Sequence, residues 1–261
     1  MIDFDRLDSG QSAAEQTWRD AVPFPIVVLD DFLLPESAEE LLRDFPDPDR
    51  EPLNRSRDYV FAKNKYEKSD IGSVSPAFGR LADDLTSDRF SKFLHAVTGR
   101  EIRIDETFHG GGCHAGGEGS YLDMHTDFDM HPMRPTWRRE ANILVYLNKD
   151  WRKAYGGELR LRRRETGRAR EIEPVFNRCV LMQTSGETIH GYSRIAFPPG
   201  NYRRSIAAYA YEELDEVPAT SRSSQWYPDE GGPAKKWLGR AWPQLVRLKS
   251  KFLGSATARN R

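Results

Sequence analysis

Two short stretches far apart in the chain restrict its fold most: His125-Thr126-Asp127 and, 63 positions beyond, His190. If residues 121–127 are extended, the two-residue period of a strand puts His125 and Asp127 on one face, with Met124, Thr126 and Phe128 on the other. A third ligand must then arrive from a strand that is distant in sequence and adjacent in space. His190 qualifies, because Arg178–Met182 and Tyr202–Tyr211 read as β-strands on either side of it. Two imidazoles and one carboxylate leave about three positions open on a non-haem Fe(II). A bare His-x-Asp also describes a polar strand end beside an acidic turn, so the pattern needs company.

Its strongest companion is Arg203, 13 residues after His190 and past a Pro198-Pro199-Gly200 turn that folds the chain back. A ferrous ion brings two positive charges, the Asp127 carboxylate one negative and a bound 2-oxoglutarate two more, which leaves one negative charge. A single guanidinium cancels it and offers a planar fork that grips a carboxylate through two hydrogen bonds. Arg203 shares a strand face with Ser205, and Arg204 takes the other, so only one of the two arginines looks inward. Arg203 is the favoured one and Arg204 the alternative.

His125-x-Asp127, Ile143–Trp151, Gly156-Gly157-Glu158-Leu159, Glu173–Arg178, His190 and Arg203 occur in one order. That order resembles the prolyl-hydroxylase-like branch of the Fe(II)/2-oxoglutarate-dependent dioxygenases, over roughly residues 104–211. The resemblance implies an α+β protein with a double-stranded β-helix core (jelly-roll, cupin-like), N-terminal buttressing helices and a C-terminal helical extension. It implies His125, Asp127 and His190 as iron ligands, Arg203 and Tyr146 on the distal carboxylate of 2-oxoglutarate, and Leu159 lining that pocket. Two departures stand out. The interval from His190 to Arg203 is longer than in the oxygen-sensing members, and residues 114–120 replace a tyrosine-rich strand usual near the iron.

Charge is abundant but balanced, at 30% Asp, Glu, Lys and Arg with a net charge of −1, so no global field points to nucleic acid or a membrane surface. Cys113 and Cys179 are far apart and form no C-x-x-C pair, which fits reduced thiols in a cytoplasmic protein. The start of the chain lacks a basic and then apolar leader, and no apolar run is long enough to span a bilayer.

Along the chain, residues 1–100 read as an N-terminal strand and supporting helices, 101–214 as the β-helix catalytic core, and 215–261 as a linker with a basic helix. Residues 24–33 read as a buried strand, 46–74 as a long loop in which Tyr59, Phe61 and Tyr66 interrupt the charge, and Pro76–Thr98 as one amphipathic helix ended by Gly99. Gly110–Gly119 reads as a flexible turn near the iron pocket, and His109, His114, His131 and Arg138 as candidate substrate contacts. Asp215–Gly232 reads as an exposed linker, and Lys235–Leu253 as a basic helix that folds back on the domain, meets a partner, including a second copy, or lies on a membrane surface.

The resemblance implies Fe(II), 2-oxoglutarate and O₂, with ascorbate as an available reductant, and hydroxylation of an unactivated C–H in a prolyl, other peptidyl or small-molecule substrate. Halogenation is disfavoured because Asp127 fills the position a halide needs. Base demethylation is disfavoured because Tyr209 and Ala210 stand six beyond Arg203 and Arg204, where that branch carries a second arginine. The competing expectation is a non-redox, metal-binding cupin-like module.

Overall fold

Among the described residues, side-chain caps start three of the four α-helices of the first hundred residues. The computed structural model describes residues 1–48, 54–55 and 60–253, so Tyr59 and the tail beyond Leu253 lie outside the described residues. Helix α1 (Phe4–Asp20) starts where the Asp3 side chain accepts from Arg6 N–H, and the buried Trp18 anchors it. Strand β1 (Ile26–Leu29) is shorter than the apolar run that contains it, and α2 (Pro35–Arg43) opens on its proline.

The expected helix over 76–98 is two helices, α3 (Pro76–Thr86) and α4 (Asp88–Thr98). Ser87 between them is extended (φ −67°, ψ 154°), and its Oγ accepts from Phe90 N–H at 3.2 Å. The apolar stripe hides this break, since Leu81, Leu85, Phe90 and Leu94 are all buried against the same core. Gly99 closes α4 in the left-handed region, φ 70°.

The expected loop over 46–74 contains two strands, β2 (Asn54–Arg55) and β3 (Ala62–Lys68). Then follow β4 (Ile102–Ile104), β5 (Gly112–Thr126), β6 (Trp137–Tyr146), β7 (Leu159–Arg163), β8 (Ala169–Ile172), β9 (Arg178–Gln183), β10 (Thr188–Tyr192), β11 (Arg203–Glu213), β12 (Gln225–Trp226) and α5 (Gly232–Leu253). The main path runs β1-β9-β6-β11-β5-β10-β7-β8, with every neighbouring pair antiparallel. Together they form the curled jelly-roll sheet of a double-stranded β-helix.

Strand β5 joins the two halves of that sheet. Its first part pairs with β11 and β3 (Gly116 opposite both Arg203 and Lys65), and its second part with β10 and β12 (His125 opposite both His190 and Trp226). From Gly112 onward the glycine-rich stretch is therefore strand rather than turn, the turn being confined to the residues just before it. Its glycines let strands approach: a Cβ on Gly112 (φ 94°) would stand 2.1 Å from the Lys68 carbonyl oxygen.

Apolar burial falls in two places. The larger cluster lies between α1, α3, α4 and the outer face of the sheet, through residues such as Phe78, Phe90, Ile143 and Ile206. The smaller one, with Tyr146, Leu159, Leu161 and Val180, lies inside the curl. Among the described residues no helix is long and apolar enough to cross a membrane.

Candidate active site

The three residues picked from spacing converge. His125 is the strand neighbour of His190, Asp127 follows directly after β5, and all three are buried. One ligand atom from each lies within 4.8 Å of the other two. His125 Nε2 is 3.5 Å from Asp127 Oδ1, and His190 Nε2 is 3.4 Å from Asp127 Oδ2. Donors bound about 2.1 Å from one ion stand about 3 Å apart when adjacent, so a small closure suffices to hold a metal.

Protonation suits the same role. His125 Nδ1 donates to the Asp123 carbonyl at 2.9 Å, which leaves the Nε2 lone pair facing Asp127. Burial pushes His190 down to about 3, so its imidazole is neutral at pH 7. Burial also works against the Asp127 carboxylate, but the Arg139 guanidinium and the two imidazoles outweigh it and hold the group well below the usual carboxylate range. The donor set is thus two imidazoles and one carboxylate, which fits ferrous iron.

One cavity of about 230 Å³ is lined by all of His125, Asp127, His190, Tyr146, Leu159 and Arg203. Arg203 is 6% exposed, its Nε donates to the Gly157 carbonyl at 2.7 Å, and its guanidinium lies 4.6 Å from the Tyr192 ring centre and 5.0 Å from that of Tyr146. Gly157 has φ 81°, and a Cβ there would meet Arg203 Cδ at 3.0 Å, so glycine is what lets this carbonyl approach. Arg203 also donates to the Tyr146 oxygen at 3.3 Å, leaving the phenol hydrogen to point elsewhere. Burial raises the Tyr146 pKa, so that phenol stays protonated and can donate to a carboxylate. Arg204 is not among the cavity-lining residues, as strand alternation requires.

Of the four candidate substrate contacts only His114 lines the cavity. Its Nε2 is buried with no hydrogen-bond partner among the described residues. His131 is structural: one ring nitrogen pairs with Asp105 Oδ2 at 3.3 Å, and the other accepts from the N–H groups of Met133 and Arg134. His109 packs against it, with ring centres 5.7 Å apart. Arg138 points away from the cavity, to Glu140 and Glu212 at 2.6 and 2.5 Å.

Among the cavity residues that escape sequence reasoning are Arg139, Asn142 and Trp226. The segment read as an exposed linker instead lays β12 along β5, and Trp226 stacks on His125 with ring centres 4.7 Å apart. Phe61 stacks on Trp226 at 4.9 Å, and Trp242 of α5 meets Phe61 edge-on, so the first part of the basic helix folds back on the domain. Charged clasps fasten this segment: Arg222 N–H donates to Asp129 Oδ1 at 2.7 Å, Arg162 pairs with Asp229, and Lys235 with Asp123, both at 2.6 Å. The aromatic Gln225-Trp226-Tyr227 triplet inside an otherwise polar stretch was the available signal.

Residues 111–211 match the family model described as the 2OG-Fe(II) oxygenase superfamily. No curated protein matches the chain in sequence. Among solved structures, a prolyl-4-hydroxylase from Pseudomonas putida is similar at 18% identity and TM-score 0.57, covering 78% of this chain and 100% of that one. A Trichoplax adhaerens prolyl hydroxylase in complex with a hypoxia-inducible-factor peptide fragment is similar at 17% identity and TM-score 0.56, covering 79% and 92%. The non-heme alpha-ketoglutarate-dependent epimerase SnoN from nogalamycin biosynthesis is similar at 13% identity and TM-score 0.53, covering 86% and 92%. Residues 111–211 thus carry a match to the 2OG-Fe(II) oxygenase superfamily model, the chain shares the jelly-roll fold of the prolyl-hydroxylase structures, and the His125-Asp127-His190 cluster lies within the matched segment.

Proposed function

We propose that the chain is a hydroxylase acting on an unactivated C–H of a prolyl, other peptidyl or small-molecule substrate. His125, Asp127 and His190 hold Fe(II), Arg203 and Tyr146 hold the distal carboxylate of 2-oxoglutarate, and Leu159 packs against its methylenes. The observation that carries the proposal is one buried cavity bounded at one end by two imidazoles and a carboxylate, and at the other by a guanidinium paired with a protonated phenol. Iron with 2-oxoglutarate and O₂ supplies the oxidant, converting C–H to C–OH as 2-oxoglutarate becomes succinate and CO₂. The protein's own part is positional. The Asp123 carbonyl fixes the His125 tautomer, Trp226 and Phe61 wall off water on one side, and Tyr192 and Tyr146 hold the Arg203 fork flat. The similar folds include enzymes whose names point to prolyl residues and one placed in nogalamycin biosynthesis, so the scaffold accommodates both peptidyl and small-molecule substrates.

The test is succinate formation from 2-oxoglutarate with Fe(II) and O₂, beside calorimetric binding of Ni(II) to the metal-free protein. The unaltered chain is expected to do both, and His125→Ala or Asp127→Ala neither. Full turnover in either variant would remove the triad. Intact 2-oxoglutarate binding with no succinate from the unaltered chain would instead favour a non-redox binding module.

A further inference from the structure

Asp127 is not held by the imidazoles alone. Its Oδ2 accepts from Asn142 Nδ2 at 2.9 Å and lies 2.9 Å from an Arg139 guanidinium nitrogen, while Arg139 Nε donates to Asn142 Oδ1 at 2.8 Å. The guanidinium rests 3.4 Å from the centre of the Tyr209 ring and 4.9 Å from that of Phe128, and Arg139 is 3% exposed. Planar stacking and a fork used on two partners fix its plane, and the plane fixes the carboxylate.

Regular strand geometry would not deliver Arg139 to this place. Asn142, Leu144 and Tyr146 line the cavity, so two-residue alternation assigns the next inward position of β6 to Glu140. The ladder with β11 slips there: Tyr209 pairs with Asn142 and Ala210 with Ala141, and then Tyr211 pairs with Arg139, passing over Glu140. This bulge turns Glu140 outward, where it meets Arg138, and brings Arg139 in. A carboxylate beside Asp127 is exchanged for a guanidinium.

Resting on the reading that Asp127 binds iron, we infer that Arg139, aimed by the β6 bulge, is the positioning residue that, together with Asn142, engages Asp127 Oδ2, the oxygen 3.4 Å from His190 Nε2, and so leaves Oδ1 as the oxygen for the metal. One-oxygen ligation keeps a coordination position open that two-oxygen ligation would fill. The pair also adds a positive charge that the simple count of iron, Asp127, 2-oxoglutarate and Arg203 does not include.

The test uses metal-free full-length protein, calorimetric titration with Ni(II), and the visible absorption of the Co(II)-loaded form. Arg139→Met is expected to lower Ni(II) affinity by roughly 10–100-fold and to change the Co(II) bands, because a carboxylate held by Asn142 alone can turn and bind through both oxygens. A thermal midpoint of the metal-free variant close to that of the unaltered chain shows that the loss is not one of fold. If Arg139→Met does not fold, Tyr209→Leu removes the ring beneath the guanidinium while keeping its charge, and is expected to shift affinity and Co(II) bands the same way by a smaller amount. A folded variant that binds Ni(II) as tightly as the unaltered chain, with the same Co(II) spectrum, overturns the inference and leaves the triad standing. An unaltered chain that binds no Ni(II) overturns the triad and the inference with it.

Discussion

Strands β6 and β11 both carry adjacent arginines at or next to their first residue, Arg138-Arg139 and Arg203-Arg204, and in each pair one arginine lines the cavity while the other does not. The routes differ. Strand β11 keeps register across its start, with Arg203 opposite Gly116 and Ser205 opposite His114, so alternation alone sends Arg203 in. Strand β6 carries one residue too many opposite β11, and that surplus residue decides which arginine goes in. The first choice can be read from a strand pattern. The second exists only once the partner strand is in place, because a bulge is a mismatch between two chains and not a property of one.

The largest expected effect lies on the regular side. Arg203→Ala leaves a buried 2-oxoglutarate carboxylate without its charge partner, a loss of roughly 3–5 kcal/mol and hence a hundredfold or greater rise in the 2-oxoglutarate requirement. Arg204→Ala, whose side chain is away from the cavity, should leave that requirement unchanged. Saturation curves for succinate formation read both. If Arg204→Ala gives the large rise and Arg203→Ala does not, β11 is out of phase by one residue and the regular half of the comparison fails.

What was legible in the sequence divides along the same line. His125, Asp127, His190, Tyr146, Leu159 and Arg203 sit on strands whose alternation holds, and all six line one cavity. Helix α2 and the end of α4 at Gly99 also follow from local chemistry, proline at a start and glycine in the left-handed region at a stop. The misses need partners to become visible. Ser87 looks like one more helical residue until its hydroxyl caps α4. Gly112 looks like a turn glycine until the Lys68 carbonyl lies where a Cβ would be. Trp226 looks like linker until β12 docks on β5. Arg138 reads as one candidate substrate contact because nothing in Trp-Arg-Arg-Glu-Ala-Asn tells which residue will be passed over.

Single-residue deletions should separate the two strands by an intermediate amount. Removing Arg204 moves Arg203 into the outward position and brings Tyr202 to the inward one, so 2-oxoglutarate binding should fall nearly as far as in Arg203→Ala. Removing Glu140 has a different consequence: Ala141 stays opposite Ala210, Arg139 stays opposite Tyr211, and the strand becomes regular with Arg139 still inward. Ni(II) and 2-oxoglutarate affinities should then be nearly those of the unaltered chain, at the cost of the Glu140 contacts to Arg138 and Arg100. Calorimetry on the two deletions checks the contrast. Loss of Ni(II) binding without Glu140 would mean that the bulge does more than select a side chain.

The smallest effect isolates the outward arginine of β6. Arg138 is 40% exposed and pairs with Glu140 and Glu212, and exposed pairs of this kind contribute about 0–1 kcal/mol each. Arg138→Ala should therefore lower the thermal midpoint only slightly, and should change neither Ni(II) affinity nor the Co(II) spectrum. Its neighbour Arg139 differs from it by one position and by the loss of nearly all contact with water, 3% exposed against a solvated side chain. A Co(II) spectrum altered by Arg138→Ala would show the outer ion pairs reaching through Glu140 to the bulge, and the two arginines would then act as one unit.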